Sequence, residues 1–204
     1  MTETPVPSEA AVTAAEACAQ CGRTLVPGDR VETGGRVFCR SCYTSLRAEL
    51  EQVVGAMSSD INYANATVGA LLGGAVGALA WWGFTVLTHW SVGLIAIAIG
   101  WLAGFGAVKF AGEKRSAALQ WIAVAAAALS YLVASYLVNM TFANKTLAER
   151  GEGFRVPFPP TSPELFFNVV ALGFGLMDVV FLAIALWEAW KQPKPLALPP
   201  ESAA

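Results

Sequence analysis

The chain changes character near residue 66, where a mixed polar segment gives way to long apolar runs. Four such runs cover about residues 66–87, 90–110, 117–140 and 165–190. Each is close to the roughly 20 residues a helix needs to cross about 30 Å of hydrocarbon. An open sheet cannot satisfy its backbone in lipid and the runs are too long for barrel strands, so helices are expected. Only Thr88 and His89 separate the first two runs, which predicts a tight antiparallel hairpin. Ahead of them, residues 44–60 follow a different rule. Leu46, Leu50, Val53, Val54 and Met57 recur at the spacing of one helical face, with Arg47, Glu49, Glu51 and Gln52 opposite. This predicts an amphipathic linker helix over 44–57 and a hinge, "SSDINYAN", into a transmembrane domain over 61–190. Ser162, Pro163 and Glu164 supply a cap, a first-turn proline and an acid favoured by the helix dipole, starting the fourth helix.

Composition agrees with lipid as the solvent. Hydrophobic residues make up 55% and charged residues 14%, with a mean hydropathy of +0.53; soluble domains carry about 25% charged residues. A net charge of −2 leaves no basic stripe and excludes nucleic acid as a partner. Residues 1–16 lack the basic start and apolar core of a secretory signal and read as a disordered leader; residues 191–204 read as a disordered tail. The connection "KFAGEKRSA" from the end of the second run to the third carries Lys109, Lys114 and Arg115, Lys191 and Lys194 follow the fourth, and the first turn has no basic residue. The positive-inside rule therefore places both termini and the middle loop in the cytoplasm, and the loop 141–164 outside an inner (plasma) membrane. Trp90 at the outer edge and Trp121, Trp187 and Trp190 at the inner edge match an aromatic belt.

All four cysteines fall in residues 17–43, as two C-x-x-C pairs, Cys18/Cys21 and Cys39/Cys42, with seventeen residues between them. Each pair can place two thiolates on one face of a tight turn, and two pairs complete a tetrahedron around Zn²⁺. A cytoplasmic address keeps such thiols reduced. Between the pairs, "RVETGGRVF" predicts two short strands around a Thr-Gly-Gly turn. A closed, structural, single zinc site is the favoured chemistry, because thiolate fills every ligand position. Iron suits the same sulfurs, and a redox dithiol would want a βαβ context that is missing here.

"CGRTLVPGDRVETGGRVFCRSCY" resembles half of a LIM-type finger, with "CG..L..GD" before a hairpin and "FC..CY" after it. The resemblance implies that Cys18, Cys21, Cys39 and Cys42 ligate zinc. The whole layout is similar to bacterial multi-pass membrane proteins with a small zinc ribbon ahead of a few transmembrane helices. The expected architecture is mainly α: a zinc-ribbon or treble-clef module, an amphipathic helix, and a four-helix transmembrane bundle.

Two features inside the runs carry further expectations. Gly69, Gly73 and Gly77 in the first, and Ala96, Gly100 and Gly104 in the second, are small residues four apart, the spacing that lets helix backbones approach. The hairpin predicts that these two faces meet each other. Asp178 is the one acid deep within a run, costly there unless it faces a partner or a cavity. It is expected to be largely protonated and hydrogen-bonded to Ser130, to Tyr131 or to a tryptophan. With a single histidine, His89, and no G-x-S-x-G elbow or H-E-x-x-H, no catalytic constellation forms, which points away from an enzyme. The leading expectation is a membrane-anchored interaction or scaffold component. It would bind a protein partner or itself through the zinc module and the helix over 44–57. The alternatives are a small transporter or channel component using Asp178, or a zinc- or redox-sensing membrane regulator.

Overall fold

The computed structural model describes residues 17–26, 28–89 and 94–197, without the side chains of Leu94 and Ala96. The expectations for the leader, the end of the tail, Trp90 and the packing of Ala96 lie outside these described residues. The chain divides into two compact units, one reaching as far as Ala56 and the other running from Met57 to Leu196.

In the first unit, β1 (Arg30–Thr33) pairs antiparallel with β2 (Arg36–Cys39), placing Val31 opposite Phe38. Gly34 and Gly35 both take positive φ, 58° and 73°. That is the two-residue turn whose twist matches a hairpin, and glycine adopts it without a Cβ clash. Helix α1 (Arg40–Ser58) follows β2 directly, so it starts four residues before the expected 44. Val31, Phe38, Tyr43, Cys18 and Cys39 form a small core, joined by Leu25, Cys42 and Leu46. The apolar stripe of α1 reaches this core only through its first turns; Leu50 and Val53 are exposed.

The second unit holds α2 (Tyr63–Thr88), α3 (Leu94–Phe110), α4 (Ala117–Glu149), α5 (Pro163–Leu172) and α6 (Leu176–Lys191). Two of these, α2 and α4, are long and apolar enough to cross a membrane, and α3 is a shorter apolar helix. The fourth run is not one helix. It breaks into α5 and α6, which qualify as a span only together and are bent by 110° at Gly173–Gly175. Glycine is among the weakest helix formers, and two of them flank Phe174 here. The third run continues nine residues past 140 to Glu149, because no breaker intervenes before Gly151 at φ 72°. The loop expected over 141–164 is correspondingly shorter. Ser162 does cap α5, accepting from Leu165 N at 3.1 Å, with Pro163 and Glu164 in the first turn.

This unit is packed inside out relative to a soluble domain. Its largest buried cluster is alanine throughout (Ala70, Ala103, Ala107, Ala123, Ala126, Ala127, Ala189), whereas Leu72, Val76, Leu79, Trp101 and Phe105 are exposed. Small residues inside and large apolar ones outside is how helices associate in lipid, where close backbone approach replaces the hydrophobic effect. The glycines show this directly. A Cβ added at Gly69 would lie 2.3 Å from Gly106 O, at Gly73 2.1 Å from Leu102 O, and at Gly77 2.7 Å from Ile99 Cα. So the α2 glycines do face α3. The α3 glycines do not reciprocate: Gly100 lies against Ala185 and Gly104 against Ala189 and Gln192, all from α6 or its end. Ile99, Leu102 and Gly106 make the α2 face of α3, and a step of one residue from Ile99 to Gly100 turns about 100° around the helix. The expected meeting of Gly100 and Gly104 with α2 is therefore corrected, and Gly106 takes that place.

One end of the unit is tied by the middle loop. Lys114 Nζ donates to Ser59 O and, at 2.9 Å, to Asp60 O. Arg115 donates its backbone N–H to Met57 O (2.9 Å) and its guanidinium to Gln192 O (2.7 Å). Trp121 and Trp190 pack edge to face at the same end, with centroids 5.2 Å apart. At the other end Lys145 Nζ meets His89 Nε2 at 3.2 Å.

Gly73→Ala and Gly100→Ala should each destabilise the purified protein by about 1–3 kcal/mol, since backbone stands where the methyl would go. Gly83→Ala meets nothing within 4 Å and should be neutral or slightly stabilising. Thermal unfolding in detergent checks the contrast, and equal midpoints for all three would contradict the packing described.

Candidate metal centre and the broken helix

The four cysteines converge because each pair sits on a turn that folding fixes. Cys18 and Cys21 lie on a knuckle closed by Gly22 N–H to Cys18 O (2.9 Å) and Cys18 N–H to Arg23 O (2.9 Å), with Gly22 at φ 71°. Cys39 ends β2 and Cys42 lies in the first turn of α1. Ala19 N–H donates to Val37 O at 2.9 Å, pinning the knuckle beside the hairpin. All four Sγ atoms lie within 4.8 Å of one another, and Cys21 Sγ is 3.9 Å from Cys39 Sγ. A tetrahedron with metal–sulfur bonds of about 2.3 Å has edges of about 3.8 Å. Four free cysteines in this arrangement could hold one metal ion.

The surroundings favour thiolate. Cys39 N–H points at Cys18 Sγ (3.3 Å), and the Ser41 hydroxyl lies 3.3 Å from Cys39 Sγ. Hydrogen bonds from Ser41 and from the Cys42 backbone draw Cys39 down to about 6. Cys18 is likewise lowered by the Cys21 and Cys39 backbone. Cys42 goes the other way, up to about 12, because it holds a proton shared with Cys39 and Cys21 and is partly buried. Opposed shifts within one cluster mean that four thiols this close cannot all ionise unless a cation takes the place of the proton. Arg23, in the field of the Cys39 thiolate, bonds Asp29 at 2.9 Å, and Asp29 Oδ1 accepts from Arg40 N–H at the start of α1 (3.3 Å).

Asp178 does not lie mid-helix. It is the third residue of α6, where its Oδ2 accepts from Gly175 N–H at 2.9 Å, satisfying an orphan donor at the helix start. The structure brings Tyr131 to it: the hydroxyl lies 3.1 Å from Asp178 O and 3.4 Å from Oδ1. Ser130 is not a partner; its Oγ would be 2.2 Å from a Cβ on Gly74, so it faces α2. Asn139, unremarked in the sequence, matters as much as Asp178. Its Nδ2 donates to Val169 O (3.0 Å) and Val170 O (3.2 Å), the carbonyls left bare where α5 ends. "GFG" within an apolar run and an asparagine within another were the signals available.

Metal uptake by the metal-free protein at pH 7 should release fewer than four protons per ion, since Cys39 has ionised by then and Cys42 has not. Binding should weaken as the pH falls, as protons compete for each sulfur. Calorimetry in buffers of different ionisation enthalpy counts the protons, and release of four at pH 7 would refute the lowered Cys39.

None of the protein-family models, curated proteins or solved structures compared with this chain matches it, so its function is to be sought in these four sulfurs and in the helices that follow them.

Proposed function

We propose that the chain is a membrane-anchored interaction protein whose four cysteines hold one structural zinc ion. The observation that carries this reading is the convergence of four sulfurs within 4.8 Å. Thiolate in all four positions leaves no place for a substrate or a reactive water, which favours a structural over a catalytic ion. Zinc is preferred to iron because such closed Cys₄ knuckles are most often zinc sites, and their folding free energy comes largely from the metal. In this reading the module is a zinc ribbon of treble-clef plan, related to half a LIM finger, and it is non-catalytic.

The contact surface is the exposed flank of α1, where Leu50 and Val53 have no cover in the first unit. Its occupant is a protein partner or a second copy of the chain. The apolar helices form a multi-pass anchor in an inner (plasma) membrane, with α5 and α6 together as the last of four passes. Both termini face the cytoplasm. The same-end bonding of Met57, Asp60, Arg115 and Gln192 supports a common side for the hinge, the middle loop and the chain after α6.

Elemental analysis of the purified full chain should find zinc equimolar with protein, and Cys39→Ser/Cys42→Ser should lose it. Site-directed crosslinking from position 50 or 53 should then give a defined adduct in the wild type that the double variant lacks. A metal-free wild type with intact α1 would sink the structural site. Identical adducts from both proteins would remove the module from the contact.

A further inference from the structure

We propose that the break between α5 and α6 binds a small hydrated monovalent cation, with Asp178 as its charged ligand and oxygens of Asn139 and Ser135 beside it. The proposal is independent of the zinc module.

A cleft of about 100 Å³ opens at the break, lined among others by Trp81, Ser135, Asn139, Gly173, Phe174 and Asp178. Non-helical backbone within an apolar bundle is tolerated where it is buried in protein or lines a cavity. Here its obvious needs are already met from within the chain, by Asn139 at the end of α5 and Asp178 at the start of α6. What remains is a set of groups without protein partners. Trp81 is 5% exposed, and its Nε1 is buried with no hydrogen-bond partner among the described residues. A buried indole N–H is costly to leave unpaired, so the cleft wants an acceptor that the chain does not supply. Asn139 spends Nδ2 on the α5 carbonyls, leaving Oδ1 against Gly173, 2.5 Å from where its Cβ would be.

These groups select the ligand. Among the described residues that line the cleft, Asp178 alone is charged, which disfavours an anion. Calcium and similar divalent ions take six to eight oxygens, usually with several carboxylates; one carboxylate with neutral oxygens suits a monovalent ion. At about 100 Å³ the cleft has room for an ion together with coordinating water. Such a water can give one lone pair to the ion and accept from Trp81 Nε1 with the other.

The test is equilibrium binding of radioactive sodium to the full chain in lipid nanodiscs, with N-methylglucamine chloride holding ionic strength constant. Expected is saturable binding, stoichiometric with protein, lost in Asp178→Asn. Ser135→Ala should weaken it several-fold without moving the unfolding midpoint in sodium-free buffer. Potassium in place of sodium supports the same site with different selectivity. Absence of saturable binding of either ion to the wild type overturns the proposal. So does a response that follows protons alone, or one that follows chloride when gluconate replaces it. If Asp178→Asn does not fold, the wild type and Ser135→Ala still decide.

Discussion

Backbone-to-backbone contact between helices is the constraint on which the second unit depends. In an apolar bundle no water is gained by burying leucine, so attraction must come from atoms at van der Waals distance, and side chains beyond alanine keep backbones apart. Here α3 is gripped on two faces at once. Its Gly106 and Leu102 carbonyls fill the space above Gly69 and Gly73 of α2, and Ala185 O of α6 fills the space above Gly100. That double contact fixes α6 alongside α3, leaving the large apolar side chains to point outward.

The broken helix follows from the same constraint. While α6 is committed to α3, α5 is committed to α4 through Val169 and Val170, which pack with Tyr136. Tyr136 stacks on Phe166 with centroids 5.3 Å apart, and its hydroxyl donates to Pro157 O. A straight helix over 165–190 could not serve both partners. Gly173 and Gly175 make the bend cheap, and a Cβ at Gly173 would in any case strike Asn139. Breaking the hydrogen-bond ladder there frees carbonyls at the end of α5 and N–H groups at the start of α6, and Asn139 and Asp178 answer some of them from within the chain. Asp178 is thus where it is because a helix begins there.

How much of this was legible depended on how local the physics is. The cysteine cluster was legible because two C-x-x-C turns and a Gly-Gly hairpin fix their geometry within a few residues each. The apolar runs were legible as helices, since hydropathy reports the solvent. It does not report which helix a given face meets. Gly100 and Gly104 have the spacing of a packing face, and only the position of α6 reveals that they serve it rather than α2. Nor does hydropathy mark a break, because "GFG" is as apolar as its flanks. Asp178 read as a buried charge at mid-span because depth was counted along a helix that the structure interrupts.

The two units therefore rest on different sources of cohesion. The bundle is held by many weak contacts distributed over alanine and glycine seams, so no single side chain accounts for it. Among the described residues of the first unit, Val31, Phe38 and Tyr43 are the buried non-cysteine side chains, with Leu25 and Leu46 at the edge. A core that small falls short of what domains below about 40 residues need without disulfides, metals or association. Its cysteines form no disulfide, and a metal held at the sulfur cluster would add the internal stability that so small a core lacks. The four sulfurs sit on three different pieces of chain: Cys18 and Cys21 on the knuckle, Cys39 on the hairpin and Cys42 on the helix. An ion bonded to all four would close every one of these segments against the others, which is more than so few apolar side chains can do.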